Sequence, residues 1–225
     1  MQVIEMVQPW EDMRQIGDCT LYLGDARKVV PFLDGVGSIV TDPPYGMNFQ
    51  SGRRKVKHRK IMSDDCDDLL IWACLQRPSH SSYVWMRWNN IPSLPRQPSS
   101  LITWVKNNHS MGDLKHTHGR KTEVAAFYRG PDHDFQNGRP CDVVTARRAG
   151  NNLHPTEKPV DLMMECVGWT RGLVLDPFMG SGTTGVACAN MGRCFVGVEI
   201  DRGHFETAAR RIEKTYQQSR LVAAQ

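Results

Sequence analysis

The apolar positions of this chain fall into short runs. Residues 20–23, 38–41, 82–88, 101–105, 124–128, 173–175 and 194–198 are rich in β-branched and aromatic side chains, and Gly, Pro, Asn or Asp flanks each run, which is the pattern of strands. Between some of them the period becomes helical. Val160, Met163, Met164 and Val167 follow an i, i+3, i+4, i+7 spacing directly after Pro159, and Phe205, Ala208, Ala209, Ile212 and Tyr216 repeat it towards the C-terminus. Strands alternating with helices predict an α/β fold with a doubly wound, mostly parallel sheet. No helical pattern separates 101–105 from 124–128, so these strands are expected to form an antiparallel hairpin at one edge.

Two segments interrupt the pattern. Residues 50–60 (QSGRRKVKHRK) carry six Lys or Arg and only Val56 as a large apolar residue, so they are expected to form a basic surface loop. Residues 130–152 are rich in Gly, Pro, Asn and Asp and include Arg139, Arg147 and Arg148, the composition of a long irregular excursion. At 225 residues the chain is sized for one domain spanning 1–225 that carries both excursions. The hydrophobic share of 40% against 23% charged is too apolar for a disordered protein. No run reaches the ~18 to 20 apolar residues of a membrane span, and residues 1–15 lack the apolar stretch of a secretory signal, so a cytoplasmic location without a membrane partner is expected. Lys and Arg (28) exceed Asp and Glu (24) only slightly, so the distribution of charge matters more than its total. Seven cysteines stand without a C-x-x-C pair and eight histidines are scattered, which predicts reduced, mostly buried thiols and no metal site.

The strongest local signal runs from Val174 to Asp201. An apolar strand enters Asp176-Pro177-Phe178, a glycine-rich turn follows, a helix begins near Thr183 and is capped by Gly192, and a second strand ends at Glu199. Gly180, Gly182 and Gly185 allow close backbone approach to a ligand, and an acid at the tip of the second strand can accept from two ribose hydroxyls. The glycines formally satisfy G-x-G-x-x-G, which keeps a nicotinamide-dependent oxidoreductase open. Against it stands Asp176-Pro177-Phe178: a carboxylate there repels a pyrophosphate but suits an ammonium, and an aromatic face suits a sulfonium. Those two groups occur together in S-adenosyl-L-methionine.

The second signal is Asp42-Pro43-Pro44-Tyr45, directly after an apolar strand, at the carboxyl edge where open α/β sheets bind ligands. Two prolines fix φ and offer no N–H, leaving their carbonyls as rigid acceptors. An acceptor carboxylate, such a carbonyl and an aromatic face fit a planar base with an exocyclic amine: two acceptors take its two protons and the ring stacks on Tyr45. That amine is inaccessible within a stacked duplex, so the base must be flipped out or single-stranded.

With both signals in hand, the sequence resembles the DNA amino-methyltransferases, adenine-N6 or cytosine-N4, of the permuted β-type order in which D-P-P-Y precedes D-P-F-x-G-S-G-T-T. The resemblance covers almost the whole chain, including LYLGDARKVV, TDPPYG, LITWVKNN, TEVAAFYRG and HPTEKP. It implies a seven-stranded Rossmann-like sheet with one antiparallel strand, and a catalytic turn at Asp42, Pro43, Pro44 and Tyr45. It implies that Asp25 accepts from the cofactor adenine, that Thr156 and Lys158 lie near the methionine carboxylate, that Asp176, Phe178, Gly180, Gly182 and Thr183 surround the methionine, and that Glu199 holds the ribose. Family members that read a defined site usually carry a longer recognition region than residues 130–152 provide. Recognition is therefore expected to be modest or shared with the basic loop, whose Arg53, Arg54, Lys55 and Lys57 would meet DNA phosphates.

The reading is thus methyl transfer from S-adenosyl-L-methionine to adenine N6 in DNA, since D-P-P-Y is the family's commoner adenine form. Cytosine N4 is the first alternative; RNA or a protein glutamine amide follows. A homodimer and a paired restriction nuclease stay open as partners.

Overall fold

The computed structural model describes residues 8–44, 68–109, 115–135, 138–147 and 157–223. Tyr45, Thr156 and the basic loop 50–60 lie outside them. Strands β1 (Asp12–Ile16) and β2 (Cys19–Leu23) form an antiparallel hairpin that turns through Gly17, whose φ of 56° is left-handed. A short helix α1 (Ala26–Val29) leads to β3 (Val36–Thr41), and α2 (Asp68–Leu75) precedes β4 (Ser81–Met86). Next come β5 (Ser100–Val105), β6 (Thr122–Arg129), β7 (Val143–Thr145) and α3 (Val160–Gly168). The chain then runs through β8 (Leu173–Asp176), α4 (Thr183–Asn190), β9 (Phe195–Glu199) and α5 (Arg202–Ala223).

Among the described residues nine strands join one sheet in the order β1-β2-β9-β8-β3-β4-β6-β5-β7. The five from β2 to β4 are mutually parallel. β3, β4, β8 and β9 are buried almost throughout, as strands covered on both faces must be. Their period of two divides the core between the faces. Val40 and Trp85 pack with Leu162 and Met163 of α3, Ala187 of α4 and Phe205, Ala208 and Ile212 of α5. Ile39, Leu175 and Val198 face the other way with Ala26 and Val29, and Val84 and Met86 with Leu70 and Ala73. α5 is half polar, and its spacing of apolar residues buries Phe205, Ala208, Ala209 and Ile212.

The seven strands expected from the sequence are all present, within about two residues at their ends. Two more flank them, so the sheet has nine strands instead of seven. β1 alternates only half-buried and exposed positions, and β7 has three residues, so neither carries a pattern strong enough to read. The antiparallel hairpin of β5 and β6 exists, but it is not the outermost pair: β6 lies against β4, and β7 pairs parallel to the outer side of β5. The described residues of 130–152 are also less irregular than expected. They contain β7, and Phe135 packs on the core beside Phe127. Cys19, Cys74, Cys166 and Cys188 are buried free thiols. Among the described residues no helix is long and apolar enough to cross a membrane.

The chain leaves β3 towards β4 on one side and β8 towards β9 on the other. β3 and β8 are adjacent, with Ile39 opposite Leu175, so the sheet's direction of winding reverses between them. A crevice outside the carboxyl ends of such strands is the usual ligand site of an open α/β sheet. Asp42 follows one of these strands and Asp176 ends the other.

Candidate active site

β3 ends where it does because Pro43 and Pro44 cannot donate to a ladder. Its last residue, Thr41, is fully buried, and its Oγ1 donates to Asp176 Oδ1 at 2.7 Å. Thr184 Oγ1, from the first turn of α4, donates to Asp176 Oδ2 at 2.6 Å, and the Phe178 N–H donates to Oδ1 at 3.1 Å. The Asp176 carboxylate therefore ties β3, β8 and α4 together at the sheet edge. Burial pushes its pKa up to about 6 against these three donors, and nearby Asp42 adds to the rise.

Beyond Asp176 the chain makes its glycine turn. Gly182 has φ 83°, and a Cβ there would meet Ala208 Cβ at 2.7 Å, so the left-handed turn also lets α5 pack closely against the loop. Gly180 has φ 53° and the opposite surroundings: a Cβ would meet nothing within 4 Å. Its N–H donates to Glu199 Oε2 at 2.9 Å, while the Asp201 N–H donates to Oε1 at 2.7 Å. Two backbone donors thus orient the Glu199 carboxylate at the carboxyl end of β9, facing the loop. Burial raises its pKa, opposed by the Asp201 N–H, His204 and the Gly180 N–H. Phe178 is half-buried, with Trp72 of α2 edge-on to its ring at 5.8 Å.

The outer side of the loop is clamped. Arg211 of α5 donates to the Ser181 carbonyl at 2.7 Å and pairs with Glu157 at 2.6 Å. The Thr183 hydroxyl also donates to Glu157, at 3.0 Å. Thr183, expected beside the methionine, is thus engaged in holding residue 157 to α4. Asp25 stands at the carboxyl end of β2, next to β9, where it caps α1 through the Arg27 N–H at 3.0 Å and pairs with the Arg27 guanidinium at 2.8 Å. Arg27 holds its carboxyl below the usual range, with burial opposing.

Lys158 has partners that the sequence did not suggest. It is 4% exposed, and its Nζ donates to Asp42 Oδ2 at 2.6 Å and pairs with Glu123 Oε2 at 3.1 Å. Lys106, at the end of β5, pairs with the other oxygen of Glu123. Burial pushes the Glu123 carboxyl up, but Lys158 and Lys106 outweigh it and hold it down at about 2. Sequence reasoning overlooked Glu123, Lys106, Glu157 and Arg211. The signal for the first two was a charge within or beside an apolar strand, in TEVAAFYR and LITWVK.

Asp42, Pro43, Pro44, Asp176, Phe178, Gly180, Gly182, Glu199, Asp25 and Lys158 thus stand along one edge of the sheet. A DNA methylase family profile matches residues 77–210. The putative methylase YubD of Escherichia coli (strain K12) is 31% identical over 199 residues, covering 79% of this chain and 82% of that protein. The type II methyltransferase M.BglII of Bacillus subtilis is 26% identical, covering 84% and 67%. Among solved structures, the M1.HpyAVI–SAM complex superposes with a TM-score of 0.64 at 26% identity, covering 86% of this chain and 99% of that one. The PvuII cytosine-N4-specific DNA methyltransferase reaches 0.65 at 16% identity, covering 91% and 93%, a likeness of fold.

Proposed function

The chain belongs to the DNA methylase family of N6 and N4 amino-methyltransferases, and from that membership we propose that it methylates adenine N6 in DNA. S-adenosyl-L-methionine is the cofactor, and it supplies an electrophilic methyl group on a sulfonium. The described residues suit it. Asp176 and Phe178 offer a carboxylate for an ammonium and a ring face for a sulfonium, Gly180 leaves open space where a side chain would stand, and Glu199 offers an oriented acceptor for hydroxyls.

The observation that carries the reading is the bond from Thr41 to Asp176, which fixes the Asp-Pro-Pro corner against the methionine corner. In this reading the base leaves its stack and places its exocyclic amine between the Asp42 carboxylate and the Pro43 carbonyl. These two acceptors hold the amine protons and direct the nitrogen lone pair at the methyl group, so positioning and preorganised charge lower the barrier. Nitrogen gains the N–C bond, the C–S electron pair returns to sulfur, and the surplus proton on nitrogen passes to solvent. Asp42, where cytosine-modifying relatives more often begin this turn with Ser, favours adenine. Tyr45 supplies the stacking face, the basic loop meets phosphates, and residues 130–152 contribute what base recognition there is.

The test is direct. Incubation with DNA and labelled cofactor, digestion to nucleosides and separation by chromatography with mass detection should yield N6-methyladenine. Recovery of N4-methylcytosine alone would overturn the choice of base.

A further inference from the structure

Four charged groups of alternating sign run inward from the β5–β6 hairpin to the catalytic turn: Lys106, Glu123, Lys158 and Asp42. Lys106 and Lys158 are almost wholly buried. Burying two cations beside carboxylates is costly unless geometry and charge are well matched, and removing one partner leaves the others uncompensated, so the four groups hold one another in place. Here the array ends on the residue proposed to hold the target amine. We propose that Lys158 and Glu123 are positioning residues for methyl transfer: Glu123, anchored by Lys106, sets the Lys158 ammonium, and that ammonium fixes the rotamer of Asp42 through Oδ2. The inference rests on the reading of Asp42 given above.

The physical case is one of degrees of freedom. Asp42 follows a strand and precedes two prolines, so its backbone is set, but its carboxylate can still turn about two bonds. A carboxylate has about four acceptor sites, and a short charge-assisted bond to Oδ2 orients the group. Lys158 in turn lies two residues before α3, outside any strand. Glu123, whose strand is paired on both sides, gives it a rigid reference. The hairpin is thereby linked to Asp42 through Glu123 and Lys158.

This assignment differs from a role for Lys158 on the methionine carboxylate, and the two separate experimentally. Single-turnover methylation and equilibrium cofactor binding are measured for wild type, Glu123→Gln, Lys158→Gln, Lys158→Arg and Lys106→Gln, with thermal melts to show that each remains folded. Misplacing a reacting group by about 1 Å can cost about 100-fold, so the two Gln variants at 123 and 158 should lose about that much in rate. Their cofactor affinity should stay within about threefold of wild type, the split expected when only transition-state geometry is lost. Lys158→Arg should recover most of the rate. Lys106→Gln, at the outer end of the array, should show a smaller loss of the same kind. Rates of Glu123→Gln and Lys158→Gln equal to wild type would overturn the proposal. So would a loss in Lys158→Gln that appears in cofactor affinity and vanishes with decarboxylated S-adenosylmethionine, which would assign the ammonium to the methionine carboxylate. Wild-type protein that transfers no methyl group to DNA would instead sink the functional reading itself.

Discussion

Asp176 makes the cofactor site sensitive to pH in a direction that follows from its surroundings. Its pKa of about 6 in the folded chain stands against an ordinary value of 3.8, so the folded state binds a proton more tightly than the unfolded one. The sign follows: the stability it contributes is fully present below about pH 4 and is lost as pH rises through about 6, at a cost of about 3 kcal/mol. Cofactor binding should run the other way, because an ammonium ligand needs the ionised carboxylate. At about pH 5 only about one molecule in eleven carries ionised Asp176, so cofactor affinity should be about tenfold weaker than at about pH 7.5, or about 1.4 kcal/mol. Glu199 is also pushed up by burial and adds a dependence of its own, so the comparison that isolates Asp176 is with Asp176→Asn. The assay is calorimetric titration with S-adenosyl-L-methionine across this range. The variant should bind weakly at neutral pH and lose the tenfold change that belongs to residue 176. Equal wild-type affinity at the two ends of the range, or wild-type affinity in Asp176→Asn at neutral pH, would refute the placement of the ammonium.

Three further outcomes follow from the site. Asp42→Asn keeps the shape of the turn but loses the charge that Lys158 and the target amine both engage, so methyl transfer should fall by about 100- to 1000-fold, a loss of the size seen when one polar partner of developing charge is removed; steady-state kinetics beside cofactor titration should find affinity largely retained. Thr41→Val removes a donor to the buried Asp176 carboxylate, which should destabilise the chain by about 1–3 kcal/mol in denaturant melts and move the midpoint of cofactor binding to higher pH. Replacing Arg53, Arg54, Lys55 and Lys57 with Ser should weaken DNA binding and flatten the plot of log affinity against log salt by up to about 0.9 for each phosphate that is no longer neutralised. An unchanged slope would make those residues an ordinary solvated surface.

What could be read from the sequence was what local chemistry encodes. The turn at Asp42 and the loop at Gly180 follow strands of period two and are written in Pro and Gly, so their place at a carboxyl edge could be read without a structure. α1 has four residues and α2 is apolar on nearly every side, so neither carries a period of 3.6. β1 is an edge strand with no fully buried position. The charges around Asp42 were hidden for another reason. Lys106, Glu123 and Lys158 come from three different segments, and nothing local to any of them says which opposite charge the fold brings near. Resemblance named Lys158 without naming its partners within the fold, Asp42 after β3 and Glu123 of the hairpin.

The pairing of β3 with β8 also explains why the order of the two motifs along the chain places no constraint on the chemistry. Asp42 and Asp176 are far apart in sequence, and no connecting segment sets their separation. It is set laterally, by the ladder that puts Ile39 opposite Leu175 and by the Thr41 hydroxyl that crosses from one strand end to the carboxylate at the other. A residue inserted in a surface loop leaves both untouched. A one-residue slip in either strand turns every side chain to the opposite face and would take Thr41 away from Asp176. The near-complete burial of β3 and β8 makes such a slip prohibitive, because each would then present the wrong side chains to both helical layers. The distance between Asp42 and Asp176 is therefore held by two buried, adjacent strands at the centre of the sheet.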